Sequence, residues 1–339
     1  MVEVLLLALG MDCSFRIWVL GKEVCFVGRW LEVSKLFELA KGVHPVPIAI
    51  YGPEGCGKTT LVRYVVRRLG SRNYVAIYID ALASDLRDAL EVWGLDLEDL
   101  IEVLMRDLGF SLPSMVSKLV ARIVEEVLAR LRFFGRGLFL AVDDVYKAIG
   151  LENVDRYTKM LYEWIAWRAP RYGIENLLIV LTTSEGVSKR ILARHTYVEI
   201  YTLWNLDPAG FAELVEQLDP RRRPEDLYIV TGGNPRLAIE LARYGWDVEK
   251  VKKLYSERIR STLRMASIDR DRIRALVEDP DTDPQTAAKL EELGLMIELF
   301  RNASLSPIPT DRDLGVGKEW AWQTPLHRNI VAEILRETS

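Results

Sequence analysis

Cysteine is scarce: the 339 residues hold three, Cys13, Cys25 and Cys56, widely spaced and without a C-x-x-C pair. That spacing predicts neither a disulfide framework nor a zinc site, and it points to a reducing cytoplasm. An excess of one charge is also missing, since the net charge is only -4. So mild a balance neither demands nor forbids nucleic acid, and any basic surface has to be local. Long apolar runs are lacking too. Val4 to Leu9 is too short to cross a bilayer, Asp12 and Arg16 break the pattern, and no positive segment precedes it as a signal peptide requires. The expectation there is a core strand, with no membrane partner. There is no internal repeat and no low-complexity tract.

What is present is alternation. Apolar runs at Ile48–Tyr51, Tyr74–Asp80, Leu138–Asp144, Leu177–Leu181 and Tyr197–Tyr201 read as strands. Helical stretches lie between them, one of them long, from about Ser84 to Arg132. Strand and helix in turn predict an α/β domain with a parallel sheet. From Asp207 to about Met265 the spacing is helical throughout, with Gly232-Gly233-Asn234-Pro235 starting one helix. Near Asp269 a third region begins, with short helices and an aromatic strand at Glu319–Trp322. A chain this long needs two or three cores. The boundaries fall at 1–204, 205–265 and 266–339.

Gly52-Pro53-Glu54-Gly55-Cys56-Gly57-Lys58-Thr59-Thr60 matches G-x-x-x-x-G-K-[ST] without a mismatch. A strand precedes it and an amphipathic helix follows, which is the context of a phosphate-binding loop. The glycines permit positive φ and close approach, so successive N–H groups can converge on a phosphate. Lys58 adds a point charge toward the β- and γ-phosphates, Thr59 offers a hydroxyl to Mg²⁺, and the helix directs its positive end at the same anion. The expected ligands are therefore ATP or ADP with Mg²⁺.

Asp143 ends a buried apolar strand, expected beside the loop strand, where a second acid holds Mg²⁺. Asp144 is placed to orient the attacking water; an acid at a strand end also serves as a helix cap. Thr182, Thr183 or Ser184 offers a hydroxyl to the γ-phosphate, or caps the helix Glu185–Arg194. Arg236, in the first turn after Gly233-Asn234-Pro235, could reach phosphate. Arg194, before the last strand, could reach a neighbour's site. Each could equally be a solvated surface arginine.

Together these residues resemble the archaeal ATPase family within the STAND branch of AAA+-type NTPases. Phe26-Val27-Gly28-Arg29, with Glu32 and Leu36, resembles the family's FxGR approach to the phosphate loop. Leu140–Val145 resembles its paired-aspartate Walker B strand, Leu181–Thr183 its sensor strand, and Gly232–Arg236 its G-G-x-P helix start. Leu290–Leu295 and Thr324–Arg328 resemble two segments of its winged helix. The resemblance spans about Phe26 to Leu335. It implies a nucleotide domain, a helical lid and a winged helix, closed over ADP and opened by ATP for assembly or partner contact. Val27, Gly28, Arg29, Pro235 and His327 would then contact nucleotide, the proline lying over it.

Two departures stand out. Ser184 occupies a place where many relatives carry arginine, and Asp144 one where AAA+ motors carry glutamate, which implies slow hydrolysis. The alternative is an initiator-like ATPase that binds duplex DNA. Its candidate recognition helix, Thr286–Glu292, holds more acid than base, and the richest basic run, Lys250 to Arg264, lies in the lid. A protein partner or self-assembly is the expected output.

Overall fold

The computed structural model describes residues 12–96, 126, 137–183, 186–266 and 268–337. The expected strand Val4–Leu9, residue Ser184, and most of the stretch read as one helix to Arg132 lie outside the described residues. The first elements are β1 (Asp12–Val19), β2 (Lys22–Phe26), α1 (Trp30–Leu39), β3 (Ile48–Tyr51), α2 (Lys58–Gly70) and β4 (Tyr74–Asp80). Next come α3 (Leu86–Ala89), β5 (Leu90–Trp93), β6 (Gly137–Asp143), α4 (Val145–Ile149) and α5 (Val154–Glu163). They are followed by β7 (Leu177–Thr183), α6 (Gly186–Leu192) and β8 (Glu199–Thr202). The remainder holds α7 (Pro208–Gln217), α8 (Pro224–Thr231), α9 (Pro235–Arg243), α10 (Val248–Met265), α11 (Arg270–Glu278) and α12 (Pro284–Glu292). It ends with β9 (Met296–Glu298), β10 (Trp320–Trp322) and α13 (Pro325–Glu337). The chain divides into two compact units, each with its own core.

The sheet unit comprises Leu31–Tyr51 and Lys58–Tyr201. Its strands run in the order β5-β4-β6-β7-β3-β8. β4, β6, β7 and β3 pair in parallel, and β5 is antiparallel at the edge. Every residue of β3, β6 and β7 is buried, as a mostly parallel sheet covered on both faces requires. Ile77, Leu140, Val142, Ile179 and Leu181 form its centre with Tyr146 and Leu161 from the helices.

Three expectations change here. β6 does not adjoin the loop strand β3, because β7 lies between them; the three strands are equally apolar, so their spatial order leaves no trace in composition. The stretch expected to be one helix from about Ser84 begins with a single turn, capped by Asp85, whose carboxylate accepts the Arg87 N–H at 2.7 Å. It then turns into β5, where Val92 and Trp93 favour the strand and Gly94, at φ +86, ends it. The last strand starts at Glu199, two residues late, and Tyr197 instead stacks on His195 with ring centroids 4.7 Å apart.

The second unit comprises the described residues up to Trp30, the glycine segment Gly52–Gly57, and the residues from Thr202 onward. It opens with the hairpin β1–β2, turned through Leu20 and Gly21, both at positive φ, the twist that tight two-residue hairpins favour. That turn brings Cys13 and Cys25 together as a disulfide. The expectation that no cysteines pair is therefore corrected: an isolated cross-strand pair has no spacing signature, and only the unforeseen hairpin joins them. Gln217 of α7 docks β2, accepting the Cys25 N–H at 2.7 Å.

The helices that follow begin where their sequence says they should. Asp207, Asn234, Asp247, Asp269 and Asp283 each accept the backbone N–H of the second or third residue of the next helix. Proline stands at the first turn of α7, α8, α9 and α12. Leu241, Leu290, Trp322 and Ile330 close the core, with β9 and β10 pairing antiparallel beside it. Among the described residues no helix is long and apolar enough to cross a membrane.

Candidate functional site

In the second unit the glycine segment is held at three consecutive residues. Glu54 donates its N–H to Gln323 Oε1 at 3.0 Å, and its carbonyl accepts from Asn234 Nδ2 at 2.9 Å. Its carboxylate pairs with the Arg236 guanidinium. The Gly55 carbonyl accepts the Arg236 N–H at 3.3 Å, and the Cys56 carbonyl accepts from the buried Arg29 guanidinium at 2.6 Å. Gly55, at φ +77, leaves room for Arg236: a Cβ there would lie 2.3 Å from the Arg236 Cβ. Gly57, at φ +100, faces open space. Gly52, Pro53 and Cys56 are buried, while Glu54 is exposed.

The flanking candidates divide. Val27 is part of the hydrophobic core, and Gly28 packs backbone to backbone on Gly210. Arg29 holds the loop itself, through Cys56. Pro235 opens α9, and Arg236 stays half exposed over the loop. His327 Nδ1 lies 2.8 Å from Thr324 Oγ1, and its ring meets Tyr255 edge-on at 5.4 Å. Burial lowers its pKa to about 4, against a small opposing effect of Glu54, so the ring is neutral near pH 7.

Sequence reading did not single out Gln323 or Asn205, and it used Asn234 only as part of a motif. Asn205 donates to the Gln323 carbonyl at 3.4 Å and accepts from Asn234 at 2.9 Å, which completes a buried amide network behind the loop. A glutamine between two buried residues, Trp322 and Thr324, was the available signal.

The sheet unit carries the other candidates. Lys58 opens α2 and is buried, Thr59 is exposed, and Thr60 is partly buried. Asp143 ends β6, only 6% exposed. Its Oδ2 accepts from the Tyr78 phenol at 2.8 Å and its Oδ1 from the Thr182 hydroxyl. Thr182 Oγ1 in turn accepts the Asp144 N–H at 3.1 Å. The Thr182 hydroxyl thus engages both acids, and Thr183 is buried opposite Tyr51 in the β3–β7 register. Burial and the adjacent Asp143 charge push the Tyr78 phenol well above its ordinary pKa, so it remains a donor. Asp144 adopts left-handed backbone at φ 50 and places a carboxylate oxygen 3.0 Å from Lys147 Nζ. Arg194 is exposed just past the end of α6.

These donor sets suit a phosphate ligand better than a free metal ion. Among the described residues no group of three or more His, Cys, Asp or Glu side chains could hold a metal alone. A divalent ion would need oxygens from elsewhere, as Mg²⁺ commonly takes them from phosphates. The family model of an ATPase domain predominantly from Archaea matches residues 26–241. The chain belongs to this archaeal ATPase family. No curated protein sequence matches this archaeal ATPase. Among solved structures it is similar to the Aeropyrum pernix ORC2 protein in its ADPNP–ADP complexes, at 15% identity and a TM-score of 0.40. That alignment covers 90% of this chain and 92% of the other. A structure described as the basis for katanin self-assembly gives 16% identity and a TM-score of 0.34, over 64% and 63% of the two chains. At those scores neither likeness carries weight for function.

Proposed function

We propose that this archaeal ATPase is an ATP-binding, slowly hydrolysing, Mg²⁺-dependent switch. In this reading its nucleotide state controls the closure of a nucleotide domain (1–204), a helical lid (205–265) and a winged helix (266–339), and through them partner assembly. The observation that carries the reading is Glu54. Its N–H, carbonyl and carboxylate are gripped by Gln323, Asn234 and Arg236, all from the C-terminal part of the chain. A loop so held cannot rearrange around phosphate without those residues responding.

The residue roles follow. The N–H groups after Gly55 and the Lys58 ammonium bind the phosphates. Thr59 and Asp143 hold Mg²⁺, which when bound would neutralise charge on the phosphate oxygens. Asp144 orients water, and its ion pair with Lys147 competes with that task, in keeping with slow turnover. Pro235 and His327 face the nucleotide side of the lid and winged helix, Arg236 senses phosphate through Glu54, and Arg194 serves a neighbouring copy.

A duplex-DNA role gains less support. In the basic run of α10, Lys252 pairs with Glu333 at 2.5 Å and Arg260 with Glu337 at 2.6 Å, so two of its cations bind α13 instead. The test is size by light scattering with ADP and with a non-hydrolysable ATP analogue. Assembly only with the analogue supports the switch; identical size in both states counts against it.

A further inference from the structure

We infer that Tyr78 is a positioning residue for Asp143, fixing the carboxylate in the orientation from which it would hold a nucleotide-bound divalent ion. The inference rests on the Mg²⁺–nucleotide reading above. Among the described residues each carboxylate oxygen receives one donor, Tyr78 on Oδ2 and Thr182 on Oδ1. An ionised carboxylate offers about four lone-pair sites, so two donors fix its plane and leave room for an ion or its water. Hydrogen bonds behind a metal ligand act in this way, orienting it and setting its affinity.

The phenol is itself immobilised. Its ring is 1% exposed, and the Arg63 guanidinium lies over it, 4.6 Å from the centroid. Arg63 is tied in turn to Glu91 of β5 at 2.5 Å. Arg63 stands one helical turn after Thr59 on α2, so both project from the same face of that helix. Tyr78 therefore joins three things: the helix face that begins with Thr59, the edge strand, and the acid at the end of β6. Register explains its reach. Tyr78 aligns with Ala141 and Asp80 with Asp143, so the small Ala141 leaves space for the ring to run along β6 to the acid.

The experiment compares wild type with Tyr78→Phe, which keeps the ring and removes only the hydroxyl. ATP affinity is measured by calorimetry in EDTA and across a Mg²⁺ titration. The expected result is unchanged affinity in EDTA and a Mg²⁺ half-saturation raised about tenfold. In an Asp143→Asn background the same change should have no further effect on the Mg²⁺ titration. An unchanged Mg²⁺ titration in Tyr78→Phe, or an equal loss in EDTA, overturns the inference while leaving the nucleotide reading intact. A wild type whose ATP affinity ignores Mg²⁺ overturns both.

Discussion

Asn234 Nδ2 donates to the Glu54 carbonyl oxygen at 2.9 Å, across a sequence separation of 180 residues. The same side chain caps α9, its Oδ1 accepting the Leu237 N–H at 3.1 Å. One buried amide therefore sets both the shape of the glycine segment and the start of a helix in the C-terminal half.

Asn234→Ala removes the cap and takes the donor from the Glu54 carbonyl and from Asn205 Oδ1 together. A lost cap costs about 1 kcal/mol, and a buried group left unsatisfied adds about 1 to 3 kcal/mol. Urea unfolding should show that sum. Asn234→Asp keeps the capping oxygen but turns a buried carboxylate oxygen toward two acceptors, the Glu54 carbonyl and Asn205 Oδ1, so it should be destabilised at least as much as the alanine variant.

Gly55→Ala and Gly57→Ala separate strain from collision. Both positions hold positive φ, which costs an alanine about 1 kcal/mol. Only at position 55 does the new Cβ meet Arg236, whose own Cβ must move. Gly55→Ala should be the more destabilised of the two in urea and should disturb the Arg236–Glu54 pair. Equal loss in both variants would mean that the Arg236 contact carries no energy.

Asp144→Asn should spare ATP binding and lower turnover by at least about tenfold. Asparagine tolerates the left-handed backbone at this position, so the change removes charge without new strain. A steady-state phosphate-release assay checks it, and full activity in the variant would remove Asp144 from the reaction.

Two groups in the C-terminal unit predict loss of stability in acid, in different windows. Burial holds His327 at about 4 when folded against 6.5 when free. Between those values the unfolded chain takes up a proton that the folded chain refuses, so stability falls as pH drops from about 6.5 to about 4. Because the residue as a whole is only partly buried, the effect is discounted to about 2 kcal/mol. Burial raises Asp281, but the N–H groups of Lys318, Glu319 and Trp320 outweigh it and hold the carboxyl below its ordinary value. That stabilisation is present above the ordinary carboxylate range and is lost at lower pH, as the folded group takes its proton. Urea midpoints against pH should flatten in the upper window for His327→Gln and in the lower one for Asp281→Asn.

How much of this was legible from the sequence depends on where each signal lies. The buried strands β3, β4, β6 and β7 stand where their apolar runs placed them, and Gly232-Gly233-Asn234-Pro235 marked the start of α9. Strand order was hidden, because equal apolarity says nothing about neighbours; β7, not β6, adjoins β3. The Cys13–Cys25 bridge was hidden because the hairpin that makes it carries a Leu20-Gly21 turn with no familiar signature. At the candidate site the glycine motif was plain from local spacing. Tyr78 and Gln323 were not, since each acts through a partner distant in the chain: Asp143 at a separation of 65 and Glu54 at 269.

The central claim is that the glycine segment and Lys58 bind a nucleotide. Calorimetric titration of ATP with Mg²⁺ into wild type and Lys58→Ala tests it most directly, with thermal unfolding confirming that both are folded. The account predicts saturable one-site binding in wild type and a loss of affinity of about a hundredfold or more in the variant. Equal affinity in the two proteins, or no binding by wild type, would contradict it.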